Sequence, residues 1–122
     1  MRVAIVGSPS FTNAERLYPV IDSFLAEHTH SSVTFVTGNM AGVERAAIGF
    51  ANQRGLDCIV IRPSKPVDGT HDAMMKSVYQ RNKQIIDNSD RVLIIWDGQS
   101  LETEHMIKYA RVKEKSMMIL TF

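Results

Sequence analysis

Five short apolar runs recur along the chain, and none of them alternates with polar residues. They are Val3 to Val6, Val33 to Val36, Cys58 to Ile61, Val92 to Trp96 and Met117 to Leu120. A strand with one wet face reads apolar, polar, apolar. A run that is bulky and β-branched throughout belongs to a strand covered on both faces. The pattern therefore predicts a parallel sheet held between layers of helix.

Four helical patterns fill the intervals. The first runs from Ala14 to Glu27, with Leu17, Ile21, Phe24 and Leu25 on one face. Pro19 lies inside it, so this helix either starts late, with Pro19 in its first turn, or kinks there. The second runs from Val43 to Arg54, with Val43, Ala46, Ala47, Phe50 and Ala51 as its stripe and Gly55 as its stop. The third runs from His71 to Asn88 with Met74, Met75, Val78, Ile85 and Ile86, and the fourth from Thr103 to Glu114 with Met106, Ile107 and Ala110. Strand and helix in alternation define an α/β chain, and right-handed crossovers put helices on both faces. The expected fold is a single domain over residues 1–122: an α/β, Rossmann-like three-layer sandwich around a mainly parallel five-stranded sheet.

Composition bounds the partners. With 44% hydrophobic residues the chain can fill a core, and 22% charged residues is far from a disordered composition. A net charge of +1 gives no case for bulk nucleic-acid or acidic-membrane binding. Cys58 is the lone cysteine, so no intrachain disulfide forms, and its apolar run reads as a buried thiol. Met1 to Gly7 reads as a strand rather than a signal peptide, and no apolar stretch approaches the ~20 residues of a membrane span. A cytoplasmic setting is the expectation. His28, His30, His71 and His105 show no metal-ligand spacing, so neither metal nor cofactor is expected.

In open α/β sheets ligands bind beyond the carboxyl ends of the strands, so the loops that follow strands carry the functional reading. After the first strand, Gly7 permits a sharp turn and Ser8 and Ser10 offer hydroxyls, while Thr12 or Asn13 could cap the next helix. After the second, Gly38-Asn39-Met40-Ala41-Gly42 opens straight into a helix, whose N-terminal N–H groups suit a phosphate. The same glycines would also serve any tight connection. A side chain at Gly38 is expected to cost binding rather than folding, because a rim turn adds little to the core. Gly42 is expected to allow the second helix to pack on the sheet. After the third strand, residues 63–70 form a non-periodic stretch and a candidate lid. After the fourth, Asp97-Gly98 makes a turn, and Ser100 or Thr103 caps the last helix. Trp96 is either core or a stacking surface for a base. Arg81, beside Asn82, lies close to the apolar face of the third helix, where it needs a partner; an anion at the rim would supply one.

Taken together these loops resemble one family. Gly7-Ser8 with Phe11-Thr12, Thr37-Gly38 with Gly42-Val43 and Arg45, Arg81-Asn82, and Trp96-Asp97-Gly98 with Ser100 and Thr103 are similar to the YspA-type branch of the SLOG superfamily. Its members are Rossmann-like domains related to the lonely-guy phosphoribohydrolases and to DprA. The resemblance implies a nucleotide or nucleotide-derived ligand, held by Gly7, Ser8, Phe11, Gly38, Asn39, Gly42, Arg45, Arg81, Asn82, Trp96, Asp97, Gly98, Ser100 and Thr103. It also implies homodimers or larger assemblies, although no stretch of the sequence locates an interface.

The chain departs from the pattern at several positions. Asn39 replaces a second glycine, Glu44 an aspartate and Pro9 an arginine. Glu102 stands where a glycine precedes the threonine, and Met106 where the phosphoribohydrolases carry their catalytic glutamate. A nucleotide-binding module without efficient catalysis is thus the leading expectation. The alternative is an N-glycosidic hydrolase of nucleoside monophosphates, for which Glu44 and Glu104 are the available carboxylates.

Overall fold

The computed structural model describes residues 1–28 and 32–122, of His28 only the backbone. His30 and the His28 side chain lie outside the described residues. Five strands alternate with four helices: β1 (Arg2–Gly7), α1 (Ala14–His28), β2 (Thr34–Thr37), α2 (Val43–Arg54), β3 (Asp57–Val60), α3 (His71–Asp87), β4 (Arg91–Trp96), α4 (Leu101–Val112) and β5 (Ser116–Thr121). The strand order is β3-β2-β1-β4-β5, and every pairing is parallel. The sheet is thus wholly parallel, and its order reverses between β1 and β4.

The double covering follows from the apolar runs. Val3, Ile5, Phe35, Leu93 and Ile95 face one way, under α1 and α2. Ala4, Val6, Val36, Val92 and Ile94 face the other way, under α3 and α4. Each such side chain taken fully out of water stabilises the fold by roughly 1.5–3 kcal/mol, so these two layers carry the domain. Full burial holds for the central strands. The edge strands β3 and β5 stay partly exposed, because no neighbour covers their outer side.

Element ends show where local chemistry acts. α1 begins at Ala14 and continues past Pro19, so the late start is excluded. Asn13 caps it, its Oδ1 accepting the Arg16 N–H at 3.3 Å. Gly55, in the left-handed conformation, stops α2 as its position suggests. Ser100 caps α4 by accepting the Thr103 N–H, so α4 starts at Leu101. Met74, placed on the apolar stripe of α3 by spacing, is 53% exposed, because the inward face of α3 passes through Ser77, Arg81 and Ile85 instead.

Candidate functional site

Eight polar or charged side chains are buried among the described residues: Ser8, Thr37, Glu44, Ser77, Arg81, Asn82, Ser89 and Thr103. All but Ser89 lie toward the carboxyl ends of the strands or on the helices that rise from them. Burying a polar group costs free energy unless it is hydrogen-bonded, so each must find a partner.

The centre of this group is an ion pair. Arg81 on α3 is 2% exposed and reaches Glu44 in the first turn of α2, itself 1% exposed. The two guanidinium nitrogens donate to the two carboxylate oxygens at 2.7 and 3.1 Å. Arg81 also donates to Oδ1 of Asn82 through Nε and Nη2, and Asn82 Nδ2 donates to the Glu102 carbonyl. Glu44 Oε1 further accepts the Met40 N–H at 3.0 Å, which fixes the turn before α2. The partner that Arg81 requires is therefore an internal carboxylate, not a rim anion. Glu44, in turn, is no free catalytic carboxylate: both of its oxygens are occupied and it is shut off from solvent.

This pair also explains Gly38. A Cβ there would collide with Nη1 of Arg81 and Oε1 of Glu44. The expectation that a side chain at position 38 leaves folding intact is thus corrected: the turn backs directly onto a buried, mutually bonded pair. Gly42 answers a different need. Its φ of 87° suits glycine, and a Cβ there would meet the Ser8 carbonyl and the Pro9 backbone. The constraint comes from the loop after β1 and not from the packing of α2 on the sheet.

The loops after β1 and β4 are stitched together at the point where strand order reverses. Ser8 Oγ accepts the Asp97 N–H at 2.9 Å, and Ser10 Oγ donates to Asp97 Oδ2 at 2.7 Å. Asp97 Oδ1 accepts the N–H groups of Gln99 and Ser100, both at 2.8 Å, around Gly98 at φ 81°. Donation from the Gln99 N–H, then the Ser10 hydroxyl and the Ser100 N–H, holds the Asp97 carboxyl down at about 2. Asp97 is a turn-builder, ionised at all ordinary pH. Trp96 is half-buried against the α3–α4 core and donates its indole N–H to the Ser100 carbonyl at 3.2 Å, so its ring serves packing and the turn.

Beside these lies an open groove of about 440 Å³ between the loop after β1 and α2, lined by Pro9, Phe11, Tyr18, Gly42, Arg45 and Ala46 among others. Arg45 is exposed, with Nε donating to the Asn39 carbonyl at 3.1 Å. Phe11 meets Phe122 edge to face, with centroids 4.9 Å apart. α2 begins on Gly42 with no side-chain cap. Gly7 ends β1, and the following Ser8 N–H donates to the Ile95 carbonyl at 2.9 Å. A second open cleft lies where residues 64–70 meet the start of α3, with Lys65, Thr70, Lys76, Ser77 and Gln80 on its walls.

The structure thus draws the named residues into three groups: Ser8, Asp97, Gly98 and Ser100; Gly38, Glu44, Arg81 and Asn82; and Phe11, Gly42 and Arg45, with Asn39. Thr103 joins the first through Ser100, hydroxyl to hydroxyl at 3.0 Å. Glu104 joins none of them; it pairs with Lys108 one turn along α4 at 3.1 Å. Sequence reasoning passed over Ser77, and it placed Thr37 in the motif after the second strand without giving it a role of its own. Ser77 lies four residues before Arg81, so helical spacing already put it on the same face. Thr37 donates its hydroxyl to the Ile5 carbonyl inside the sheet, a contact with no sequence signal. No group of histidine, cysteine and carboxylate able to hold a metal occurs among the described residues. No helix is long and apolar enough to cross a membrane among them.

Comparison with known proteins adds the relationship. The crystal structure of the C-terminal domain of a hydrogenase from Pyrococcus furiosus aligns at 16% identity over 97% of this chain and 89% of that one, with a TM-score of 0.53. A second crystal structure of that domain aligns at 13% identity over the same shares, with a TM-score of 0.49. The first likeness concerns the fold. No curated protein matches the chain. A family model described as YAcAr, the YspA, cpYpsA-related SLOG family, matches residues 1–65. That span runs from β1 through β3 and so contains Gly7, Ser8, Phe11, Gly38, Gly42, Glu44 and Arg45. On this match over more than half its length, the chain belongs to the YspA, cpYpsA-related SLOG family.

Proposed function

We propose that this protein binds a nucleotide or nucleotide-derived ligand at the carboxyl rim of its sheet, without efficient catalysis. One observation carries the reading: the buried polar side chains collect under that rim, where an α/β sheet of this order receives ligands. Packing alone gives no reason to gather them at one end of the sheet. Membership of a nucleotide-related family supports the ligand class.

In this reading the phosphate lies over the start of α2. Gly42 leaves that N-terminus without a side-chain cap, and Arg45 stands exposed beside it. The groove along Phe11, Tyr18 and Ala46 takes the less polar part of the ligand. Arg81 contributes indirectly, by holding Glu44 and with it the Met40 N–H of the turn. The lack of catalysis rests on the carboxylates: Glu44 is sealed in an ion pair, Asp97 is spent on its turn and Glu104 pairs with Lys108. Glu44 and Asp97 lack the freedom a general acid or base needs, while the Glu104–Lys108 pair is solvent-exposed and holds Glu104 only weakly.

The test is calorimetry against AMP, ADP-ribose, NAD and cyclic nucleotides, with wild type and Arg45→Ala. Binding of at least one, weakened by about 1.5–3 kcal/mol in Arg45→Ala, is the expected result for loss of a charged hydrogen-bond donor. An absence of heat and of thermal shift across the panel would overturn the reading. Free base released from nucleoside monophosphates, detected by chromatography, would instead establish the hydrolase.

A further inference from the structure

The sheet ends in two edges of different character. β3 forms one edge; it is four residues long, begins on Asp57 and is followed closely by Arg62 and Pro63. The Ile61 N–H turns inward to the Thr37 carbonyl, so alternation leaves only Cys58 and Val60 of β3 facing out. β5 forms the other edge and reads Ser-Met-Met-Ile-Leu-Thr, with no charge, proline or glycine. The Phe122 N–H turns inward to the Trp96 carbonyl at 3.1 Å. By the same alternation, Met117, Ile119 and Thr121 present their N–H and C=O groups outward. Among the described residues no strand pairs with them.

A row of unpaired backbone groups is a template for another strand, and proteins usually guard it with charge, proline or a bulge. β5 carries neither charge nor proline. The segment also complements itself. Laid antiparallel about a two-fold axis at Ile119, it exchanges about six backbone hydrogen bonds through Met117, Ile119 and Thr121 of each copy. On the α3–α4 side, Ile119 then meets Ile119 of the partner subunit. On the α1 side, Met118 meets Leu120 of the partner subunit. No like charges are opposed, and every cross-strand pair but Met117 with Thr121 and Ser116 with Phe122 is apolar on both sides.

The surface beside the strand suits the same occupant. Met118 and Leu120 line a mainly apolar groove with Pro19, Val20 and Phe24, to which Ser23 and Glu27 also contribute. It continues to Phe11 and Phe122, where Leu120 and Phe122 are 36% and 51% exposed. We infer that this protein forms a two-fold homodimer by antiparallel pairing of β5, which joins the two five-stranded sheets into one.

Sedimentation velocity tests this with wild type, Leu120→Lys and Thr121→Pro. Both positions are exposed in the single chain, so melting temperatures near that of wild type are expected. The lysine opposes charge to an apolar neighbour at two symmetric places, and the proline removes an outward donor. Wild type should sediment at twice the 13.7 kDa chain mass, and both variants at the single mass. The register has its own test. Facing positions in a non-hydrogen-bonded pair bring Cα atoms to about 4.5 Å, within disulfide reach. Met118→Cys with Leu120→Cys, in a Cys58→Ser background, should therefore cross-link into a covalent dimer on mild oxidation. A wild type that stays monomeric up to ~100 μM would overturn the inference, since mass action favours association there. So would a dimer that survives both edge variants and resists the cross-link.

Discussion

Replacing Glu44 with glutamine removes one charge from the interior and almost nothing else. The side chain keeps its volume, and an amide oxygen can still accept the Met40 N–H. The Arg81 guanidinium, 2% exposed, is left without its counter-charge. Removing one partner of a buried pair costs about 3–5 kcal/mol, because the surviving charge has no water to solvate it. Retained hydrogen bonds place Glu44→Gln near the lower end, at about 3 kcal/mol. An unfolding entropy of about 2.1 cal/mol/K per residue, over a chain of this length, makes 1 kcal/mol about 4 °C in Tm. Glu44→Gln should therefore melt about 12 °C below wild type, and Arg81→Met by a similar margin. The double variant carries no orphaned charge, so it should lose markedly less than the sum of the two single losses. Residual loss in the double variant comes from Asn82 Oδ1, which accepts from Arg81 twice. The assay is calorimetric melting of all four proteins at pH 7. A single-variant shift under about 3 °C, or strict additivity in the double variant, would refute the argument from burial.

Three further outcomes follow from the same geometry. Gly38→Ala should lower stability by about 1–3 kcal/mol, measured by denaturant titration, because its Cβ displaces the Arg81–Glu44 pair. Asp97, held at about 2 in the fold, is ionised there at pH values where the unfolded chain has begun to bind a proton. Its contribution is present above the unfolded value near 3.8 and is lost as pH falls toward 2, so the Tm of wild type should drop more steeply than that of Asp97→Asn over that window. His105, whose charged form is disfavoured by burial and then by Lys83, should titrate below 6.5 by NMR, and Lys83→Met should move it upward.

The fold was legible because the apolar runs of β1, β2 and β4 carry no alternation, and only a doubly covered parallel strand tolerates that. The edges were less so: β3 and β5 read like central strands, since nothing local in Cys58-Ile59-Val60 reveals a missing neighbour. Caps were half legible. Asn13 and Ser100 were among the alternatives, and the choice depended on geometry. Arg81 marks the limit of local reading. Its position on the apolar face of α3 announced a partner, yet Glu44 lies 37 residues away on another element. Only the crossovers on either side of β3 bring the two together, from α2 and α3 on opposite faces of the sheet, at its rim.

The departures from the family pattern acquire a common sense in the structure. Glu44 is one methylene longer than the aspartate it replaces, and that length suits a reach from the first turn of α2 to Arg81 on α3. Glu102 fills the place of a glycine, but its carboxylate accepts from Ser100 Oγ at 3.2 Å and its carbonyl from Asn82. Met106, where the resemblance to the phosphoribohydrolases would put a glutamate, is buried in the core between α3 and α4. Glu44 and Glu102 are thus engaged in internal hydrogen bonds, and Met106 in the core. The acids at the rim are thereby satisfied, while Arg45 remains exposed at the uncapped start of α2. Asp97 stays ionised within its hydrogen bonds, so the draw on an anionic ligand rests on Arg45 and the uncapped N-terminus of α2. With Glu44 in its ion pair and Asp97 held in its turn, neither is an unengaged acid for that ligand.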